Sequence, residues 1–359
     1  MFKELFEPLV VYFSPLNVFR YITFRGAYGA ITTLLICFLF GTRVIQALRK
    51  LKVGQSIRQE GPATHLVKSG TPTMGGLLVI GSMLLSMLLW GDVRNNYVWL
   101  LLISLVAFGL VGFLDDFLKV RLRNSDGLPA WIKLVGQFSV ALGIVLYLYF
   151  SGGPEIGRVQ VPLFRNLVID MGPLWVPFAL LLVVGASNAV NFGDGLDGLL
   201  SGLLIMVFIT LTAIAYLAGR FDFAGYLGIP FIPGGGEIAV FCLAMIGSLV
   251  GFLWFNAHPA EVFMGDAGSL SLGGTVAVIA LILKIEILIF IICGVFVLEI
   301  ASVIIQVASF KLRGKRIFKM APLHHHFELS GWAETKVVIR FWILGGLFAI
   351  IALSILTIQ

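Results

Sequence analysis

The acids and amides of this chain fall into short clusters rather than being spread evenly. Asp115 and Asp116 are adjacent, Asp194 and Asp197 lie three apart in NAVNFGDGLDG (188–198) beside Asn188 and Asn191, and Asp266 lies in NAHPAEVFMGDAGS (256–269), which opens on Asn256. Two further clusters are KSGTPTMGG (68–76), with Lys68 and Thr73, and PLHHHFE (322–328), with His324, His325 and His326. Several acids with lysines nearby suit the joining of two anionic substrates. A phosphate attacking a diphosphate crowds negative charges together, and a divalent cation and lysines offset the repulsion. Mg2+ prefers one or two carboxylates and takes substrate oxygens for the rest of its shell, so these acids suffice without an all-protein cage. Neither a Walker-type phosphate loop nor a dinucleotide glycine fingerprint occurs; a nucleotide here is held in another way.

Each cluster also has a plainer reading. Asp115 and Asp116 directly follow an apolar run, where a carboxylate is costly unless it faces water, a cation or a partner. The spacing of Asp194 and Asp197 lets them share a helix face at the start of the next run, although a Gly/Asp turn with an N-cap accounts for one of them. Ser269 reads as the N-cap of the run after it, and Phe263 as either packing or a stacking platform. The three consecutive histidines, out of five in the chain, fit a metal tract, a phosphate or sugar contact, or a solvated loop. Consecutive side chains point in different directions, which argues against all three holding one ion.

The elements that must hold these clusters follow from composition. Of the 359 residues, 59% are hydrophobic and 12% charged, against roughly 45–50% and about 25% in soluble domains. Such a chain would expose far too much apolar surface as a soluble globule, which leaves an all-α polytopic integral membrane protein. About 20 apolar residues cross a bilayer as a helix, and ten runs of suitable length lie near 27–45, 74–90, 98–114, 134–150, 174–189, 199–217, 238–255, 270–283, 287–307 and 337–358. The eighth and ninth meet at Lys284 and Glu286, where a charged tight turn is preferred to one kinked helix. Together the runs make a single transmembrane domain, 1–359. Glu299, inside the ninth run, is an intramembrane acid and reads as a structural hydrogen-bonding group holding a bent helix.

An even number of spans puts both termini on one side. The side bearing the connections after the odd-numbered runs, with the run ends that flank them, holds Arg43, Arg49, Lys50, Lys52, Arg58 and Lys68, then Lys119, Arg121, Arg123 and Lys133, then seven more from Lys311 to Arg340, seventeen of the 25 basic residues. By the positive-inside rule that side is cytoplasmic and both termini are periplasmic. Every polar cluster falls on the cytoplasmic side, although none was used to place the runs. The outer connections, 151–173 and 219–236, are rich in Gly and Pro and read as short turns or small hairpins. The first twenty residues show no signal-peptide pattern and read as a retained interfacial segment. Cys37, Cys242 and Cys293 lie in apolar runs with no pairing or zinc-ligand pattern.

The segments TPTMGG (71–76), GFLDD (112–116), NAVNFGDGLDGL (188–199), GFLWFNAHPAEVFMGDAGSL (251–270) and APLHHHFEL (321–329) resemble, in this order and over nearly the whole chain, the phospho-MurNAc-pentapeptide transferases. These belong to the polyprenyl-phosphate N-acetylhexosamine-1-phosphate transferase superfamily. The resemblance implies transfer of phospho-MurNAc-pentapeptide from UDP-MurNAc-pentapeptide to undecaprenyl phosphate, giving lipid I and UMP, as the first membrane step of peptidoglycan synthesis. It implies a bacterial cytoplasmic (inner) membrane location, Mg2+ as cofactor, a homodimer, nucleoside antibiotics as inhibitors in the same cleft, and no nucleic acid partner. Carried over by position, Asp115, Asp116 and Asp266 are the essential acids, with Asp266 the Mg2+ ligand. The uridine pocket maps to Lys68, Gly195, Leu196, Asp197, Asn256 and Phe263, with the uracil stacked on Phe263. Thr73, Lys133, Asn191 and Asp194 map to other substrate or inhibitor contacts, and His324, His325 and His326 to a sugar or diphosphate contact. Two departures are Gly193, where the family usually has Thr, and His258 after Asn256-Ala257, where an aromatic or another non-histidine residue is expected.

Two rivals come from other substrates and other classes. A sister transferase moving GlcNAc-1-phosphate onto the same lipid would share the acids and the metal, and the APLHHHFEL form favours the pentapeptide donor. A non-enzymatic lipid or solute transporter would place its site near the bilayer midplane on broken helices related by a repeat. Here the clusters share one face and the halves show no repeat.

Overall fold

A computed structural model describes residues 1–50, 70–122, 127–153, 155–164 and 167–356. The chain forms helices α1 (Phe2–Phe6), α2 (Ile22–Lys50), α3 (Gly76–Trp90), α4 (Asn96–Leu122), α5 (Ala130–Ser151), α6 (Trp175–Phe192) and α7 (Leu199–Ala218). These are followed by α8 (Phe221–Leu227), α9 (Gly236–Asn256), α10 (Gly265–Ile282), α11 (Leu288–Ile292), α12 (Gly294–Arg313), α13 (Leu323–Glu328) and α14 (Glu334–Leu356). Among the described residues nine helices are long and apolar enough to cross a membrane, and α3, with 15 residues, is a shorter apolar one. Together they account for the ten apolar runs. The expected all-α membrane architecture is present.

Helix α10 forms the centre of the bundle, with 89% of its apolar window buried, packed against α3, α4 and α6, while α9 packs between α2 and α7. Lipid offers no hydrophobic drive between helices, so close approach of small residues carries the packing. A Cβ on Gly76 of α3 would run into the Gly268 backbone of α10, and one on Gly112 of α4 into the backbone of Asp266. The outer helices α2, α5, α12 and α14 bury only 28% of their apolar windows. Exposed side chains such as Ile343 and Ile350 on α14 suit a lipid-facing wall.

Several expectations need correcting. Helix α4 does not end before Asp115 but continues through it to Leu122, so both acids project from a helix rather than a loop. The ninth apolar run is two helices, because the chain breaks at Cys293 between α11 and α12. The charged turn at 284–286 is present: Lys284 adopts φ +57° and its Nζ lies 2.9 Å from Glu286 Oε1. The connection after α5 holds the expected small hairpin, with strands β1 (Arg158–Gln160) and β2 (Val168–Asp170) antiparallel and Arg158 opposite Asp170.

Candidate active site

The chemistry-bearing residues meet where the ends of α4, α6 and α9 face the starts of α5, α7 and α10. Asp115 and Asp116 are each 2% exposed. Lys119, one turn on from both, lies 2.6 Å from Asp115 Oδ2, 3.7 Å from Asp116 Oδ1 and 2.9 Å from Asp266 Oδ2. Lys133 reaches in from the first turn of α5, with its Nζ 2.7 Å from Asp266 Oδ2 and 3.8 Å from Asp115 Oδ2. Backbone donors complete the acids: Leu128 N–H donates to Asp115 Oδ1 and Ala267 N–H to Asp116 Oδ2. Two ammonium groups therefore serve three carboxylates, leaving the cluster short of positive charge.

Asp266 is placed by the way α10 begins. Gly265 adopts φ +74°, and a Cβ there would sit 2.6 Å from both Asp116 Oδ2 and Thr73 Oγ1; glycine alone fits such a turn at such close quarters. Asp266 then falls in the first turn of α10, where the helix dipole favours an anion. Asn191 Nδ2 donates to Asp266 Oδ1 at 2.7 Å and to Ser269 Oγ at 2.8 Å. Gly265 N–H donates to Asp194 Oδ2 at 2.9 Å. Burial holds the Asp194 carboxyl well above the usual carboxylate range, against the Gly265 N–H that lowers it; the nearby Asp266 and Asp116 charges raise it further. The segment containing Thr73 is laced to the same loop: Phe263 N–H donates to Pro72 O, Gly75 N–H to Phe263 O and Gly76 N–H to Met264 O.

Two expectations fail here. Asp194 and Asp197 do not share a helix face, because α6 stops at Phe192 and α7 starts at Leu199 after Gly198 at φ +76°; the residues between form a turn whose acids face different partners. Ser269 is not an N-cap, since α10 has already begun at Gly265 and the Ser269 hydroxyl donates back to the Gly265 carbonyl. Gly193, the departure before Asp194, has ordinary helical angles. Its role is steric: a Cβ would lie 2.8 Å from the Phe296 ring of α12.

The turn carries a second group of residues. Asp197 Oδ2 lies 2.9 Å from His258 Nδ1 and accepts from Ala260 N–H, while the Asp197 N–H donates to Glu334 Oε1 at the start of α14. Asn256 Oδ1 accepts from Gly198 N–H and the Ser201 hydroxyl, and its Nδ2 donates to Val262 O. Leu196 and Phe263 are buried, at 3% and 9% exposure, so a base stacking on Phe263 requires that ring to be uncovered. The histidines diverge: His325 Nδ1 lies 2.9 Å from Glu328 Oε2, His326 Nδ1 accepts from Lys319 N–H, and His324 is fully buried beside Glu299. Lys68 lies outside the described residues.

The expected acids, Lys133, Asn191 and Asp194 are thus brought together, with Thr73 alongside, and Gly195, Leu196, Asp197, Asn256 and Phe263 form the adjoining turn and loop. Lys119, His258 and Glu334 belong to these groups and were not among the expected site residues; His258 stood out in the sequence only as a departure from the family pattern. For Lys119 the signal was present, because residues three and four apart meet on a helix. Glu334 lies 137 residues from Asp197, and no local pattern points to it.

Two sets of side chains have donor atoms within 4.8 Å of one another: Asp115, Asp116 and Asp266, and Asp197, His258 and Glu334. The first is all carboxylate oxygen, the hard donor set that Mg2+ takes, and fits that ion. The second joins imidazole to two carboxylates and is knit by its own hydrogen bonds, a brace between the turn, the α9–α10 loop and α14.

The profile of "Glycosyl transferase family 4" matches residues 98–284, and that of "Phospho-N-acetylmuramoyl-pentapeptide-transferase signature 1" matches residues 68–80. Proteins named phospho-N-acetylmuramoyl-pentapeptide-transferase align over the whole chain, at 48% identity in Thermodesulfovibrio yellowstonii, covering 99% of that protein, and at 49% in Syntrophus aciditrophicus, covering all of it. A third, from Citrifermentans bemidjiense, is 47% identical over the full length of both chains. With that coverage and with the acids of the matched region converging on one cluster, the chain belongs to glycosyl transferase family 4 and, within it, to the phospho-N-acetylmuramoyl-pentapeptide-transferases.

Proposed function

We infer that this membrane protein transfers phospho-MurNAc-pentapeptide from UDP-MurNAc-pentapeptide to undecaprenyl phosphate, giving lipid I and UMP. The observation that carries the reading is the joining of Asp115, Asp116 and Asp266 to Lys119 and Lys133 in a chain that aligns end to end with transferases of that name. A phosphate oxygen of the lipid attacks the sugar-bearing phosphorus, a new P–O bond forms, and the bond to the UMP oxygen breaks. Lys119 and Lys133 neutralise phosphate oxygens as the two anions approach. Asn191 fixes the rotamer of Asp266, and the laced 72–76 and 263–266 segments fix its backbone. A phosphate monoester has a second pKa of about 6 and is mostly dianionic at neutral pH, so proton removal by Asp115 adds little and positioning carries more of the rate.

Asp266, with Asp115 and Asp116, would hold Mg2+, which supplies charge neutralisation at the diphosphate when bound. The turn at 195–197, with Asn256, Phe263 and Lys68, receives the uridine, and the histidine helix α13 faces the sugar or diphosphate. The concentration of basic residues beside these loops supports a cytoplasmic active site in a bacterial inner membrane with periplasmic termini. A homodimer and inhibition by nucleoside antibiotics belong to the same reading. Its test is UMP release by detergent-purified protein given undecaprenyl phosphate and Mg2+, with UDP-MurNAc-pentapeptide and UDP-GlcNAc in parallel. Release from the pentapeptide nucleotide alone is expected. Release from UDP-GlcNAc alone would make the chain a GlcNAc-1-phosphate transferase, and substrate movement without UMP release would make it a transporter.

A further inference from the structure

Glu299 and His324 are both fully buried, yet neither belongs to the two groups above. Glu299 is on α12 and His324 on the short helix α13, and Glu299 Oε2 lies 3.3 Å from His324 Nδ1. The approach is not aligned as a hydrogen bond, so both carboxylate oxygens and both ring nitrogens lack a hydrogen-bond partner among the described residues. Four unsatisfied polar atoms in a protein interior are costly, and a fold retains such groups where a function uses them. The far edge of the ring shows what it faces. A Cβ on Gly195 would collide with His324 Nε2, so the imidazole bridges α12 and the turn that carries Asp194 and Asp197. His325 and His326 are engaged with Glu328 and the Lys319 backbone, which leaves His324 as the histidine of the three whose ring abuts this turn.

We propose that Glu299 is a positioning residue that aligns the His324 imidazole through Nδ1, so that Nε2 is delivered over the bare Gly195 backbone to an oxygen of the donor diphosphate. The proposal rests on the transferase reading. In the charged ring both nitrogens donate: Nδ1 donates to Glu299, its counter-ion inside the protein, and Nε2 donates to the phosphate oxygen. A carboxylate behind an imidazole fixes both the ring's orientation and which nitrogen points outward. The absence of a side chain at 195 is what lets Nε2 lie directly against the turn. Glu299 thereby acts on the reaction without touching substrate, from within an apolar helix.

The test uses the full-length protein in detergent with UDP-MurNAc-pentapeptide, undecaprenyl phosphate and Mg2+, and compares wild type, Glu299→Gln, Glu299→Asp, His324→Ala and the double variant Glu299→Gln/His324→Ala. Glu299→Gln keeps the size and the polar contacts of the side chain, so its thermal midpoint should match wild type. Its kcat should fall at least about tenfold while the donor KM stays within about threefold, the pattern of an interaction made in the transition state. Glu299→Asp should recover part of the loss. Adding Glu299→Gln to His324→Ala should cost no more than about twofold further, because residues acting through one another are not additive. A Glu299→Gln protein with kcat within about twofold of wild type would overturn the proposal, as would a tenfold loss that persists undiminished in the His324→Ala background. Wild-type protein that melts normally but releases no UMP would overturn the transferase reading and this inference with it; an active wild type with an unaffected Glu299→Gln overturns this inference alone.

Discussion

The two ends of the helix bundle both gather charge, and they treat it differently. At the end away from the candidate site, Arg25 at the start of α2 and Glu237 at the start of α9 form a buried two-pronged pair. Arg25 also donates to the Trp90 carbonyl, and Glu237 Oε2 also accepts from Asp92 N–H. Lys3 in turn pairs with Asp92. Each cation there has its own acid, and the geometry ties α2, α3, α9 and the N-terminal helix together. At the site end, Lys119 and Lys133 are shared among three carboxylates, and those acids sit on two unlike supports, the interior of α4 and the start of α10. Matched pairs brace a fold, whereas a cluster left short of positive charge is one that a cation and a substrate can complete. Charge balance, rather than burial, separates the two ends.

That contrast can be broken most directly at Asp266. Asp266→Ala should lower UMP release by about 1000-fold or more, the scale of losing preorganised charge in a water-poor site, while thermal melting of the detergent-solubilised protein stays near wild type. A variant that unfolds instead would make this end structural as well. Lys133→Ala should follow at about 100-fold, and added Mg2+ should recover part of the loss, because a second cation answers the same deficit. A titration of activity against Mg2+ after chelation would record both effects.

The opposite end sharpens the comparison through stability. Arg25→Met should cost about 3–5 kcal/mol by leaving a buried carboxylate unpaired, whereas Arg25→Met combined with Glu237→Leu should return to within about 2 kcal/mol of wild type. Specific activity of the folded fraction should stay unchanged in both, read from melts and turnover on the same samples. The smallest effect is expected at Gly193→Thr, which restores the residue usual in the family but presses on the Phe296 ring. About 1–2 kcal/mol of overpacking strain and a few-fold loss of kcat should result, and Phe296→Ala in the same protein should relieve the activity loss.

The apolar runs were readable because lipid demands long continuous hydrophobic helices, and the clusters because acids and amides are conspicuous against them. Directions were harder. Three-residue spacing suggested one helix face for Asp194 and Asp197, but Gly195 and Gly198 let the chain turn, and each acid took its own partner. Ser269 looked like a cap because it directly precedes the apolar run that starts at 270, yet Gly265 starts the helix a full turn earlier. Lys119 carried a readable spacing, while Glu334 and the Glu299–His324 pair depend on contacts between helices far apart in sequence, which no window of residues contains.

The brevity of α3 has a consequence for how two unlike substrates meet. Its 15 residues rise about 22 Å, short of the roughly 30 Å of hydrocarbon in a bilayer, and the chain leading into it is laced directly to the loop bearing Asp266. Meanwhile α4 continues from Asp115 to Leu122, a climb of about 10 Å past the acids. On the transferase reading, the acids would lie in a shallow well, about 10 Å back along α4 from its end and beside the short helix. A phosphate on a lipid already rides near that depth and reaches it by lateral diffusion, while the water-soluble nucleotide has to descend and shed its hydration on the way. On that reading the two reactants divide the journey unequally.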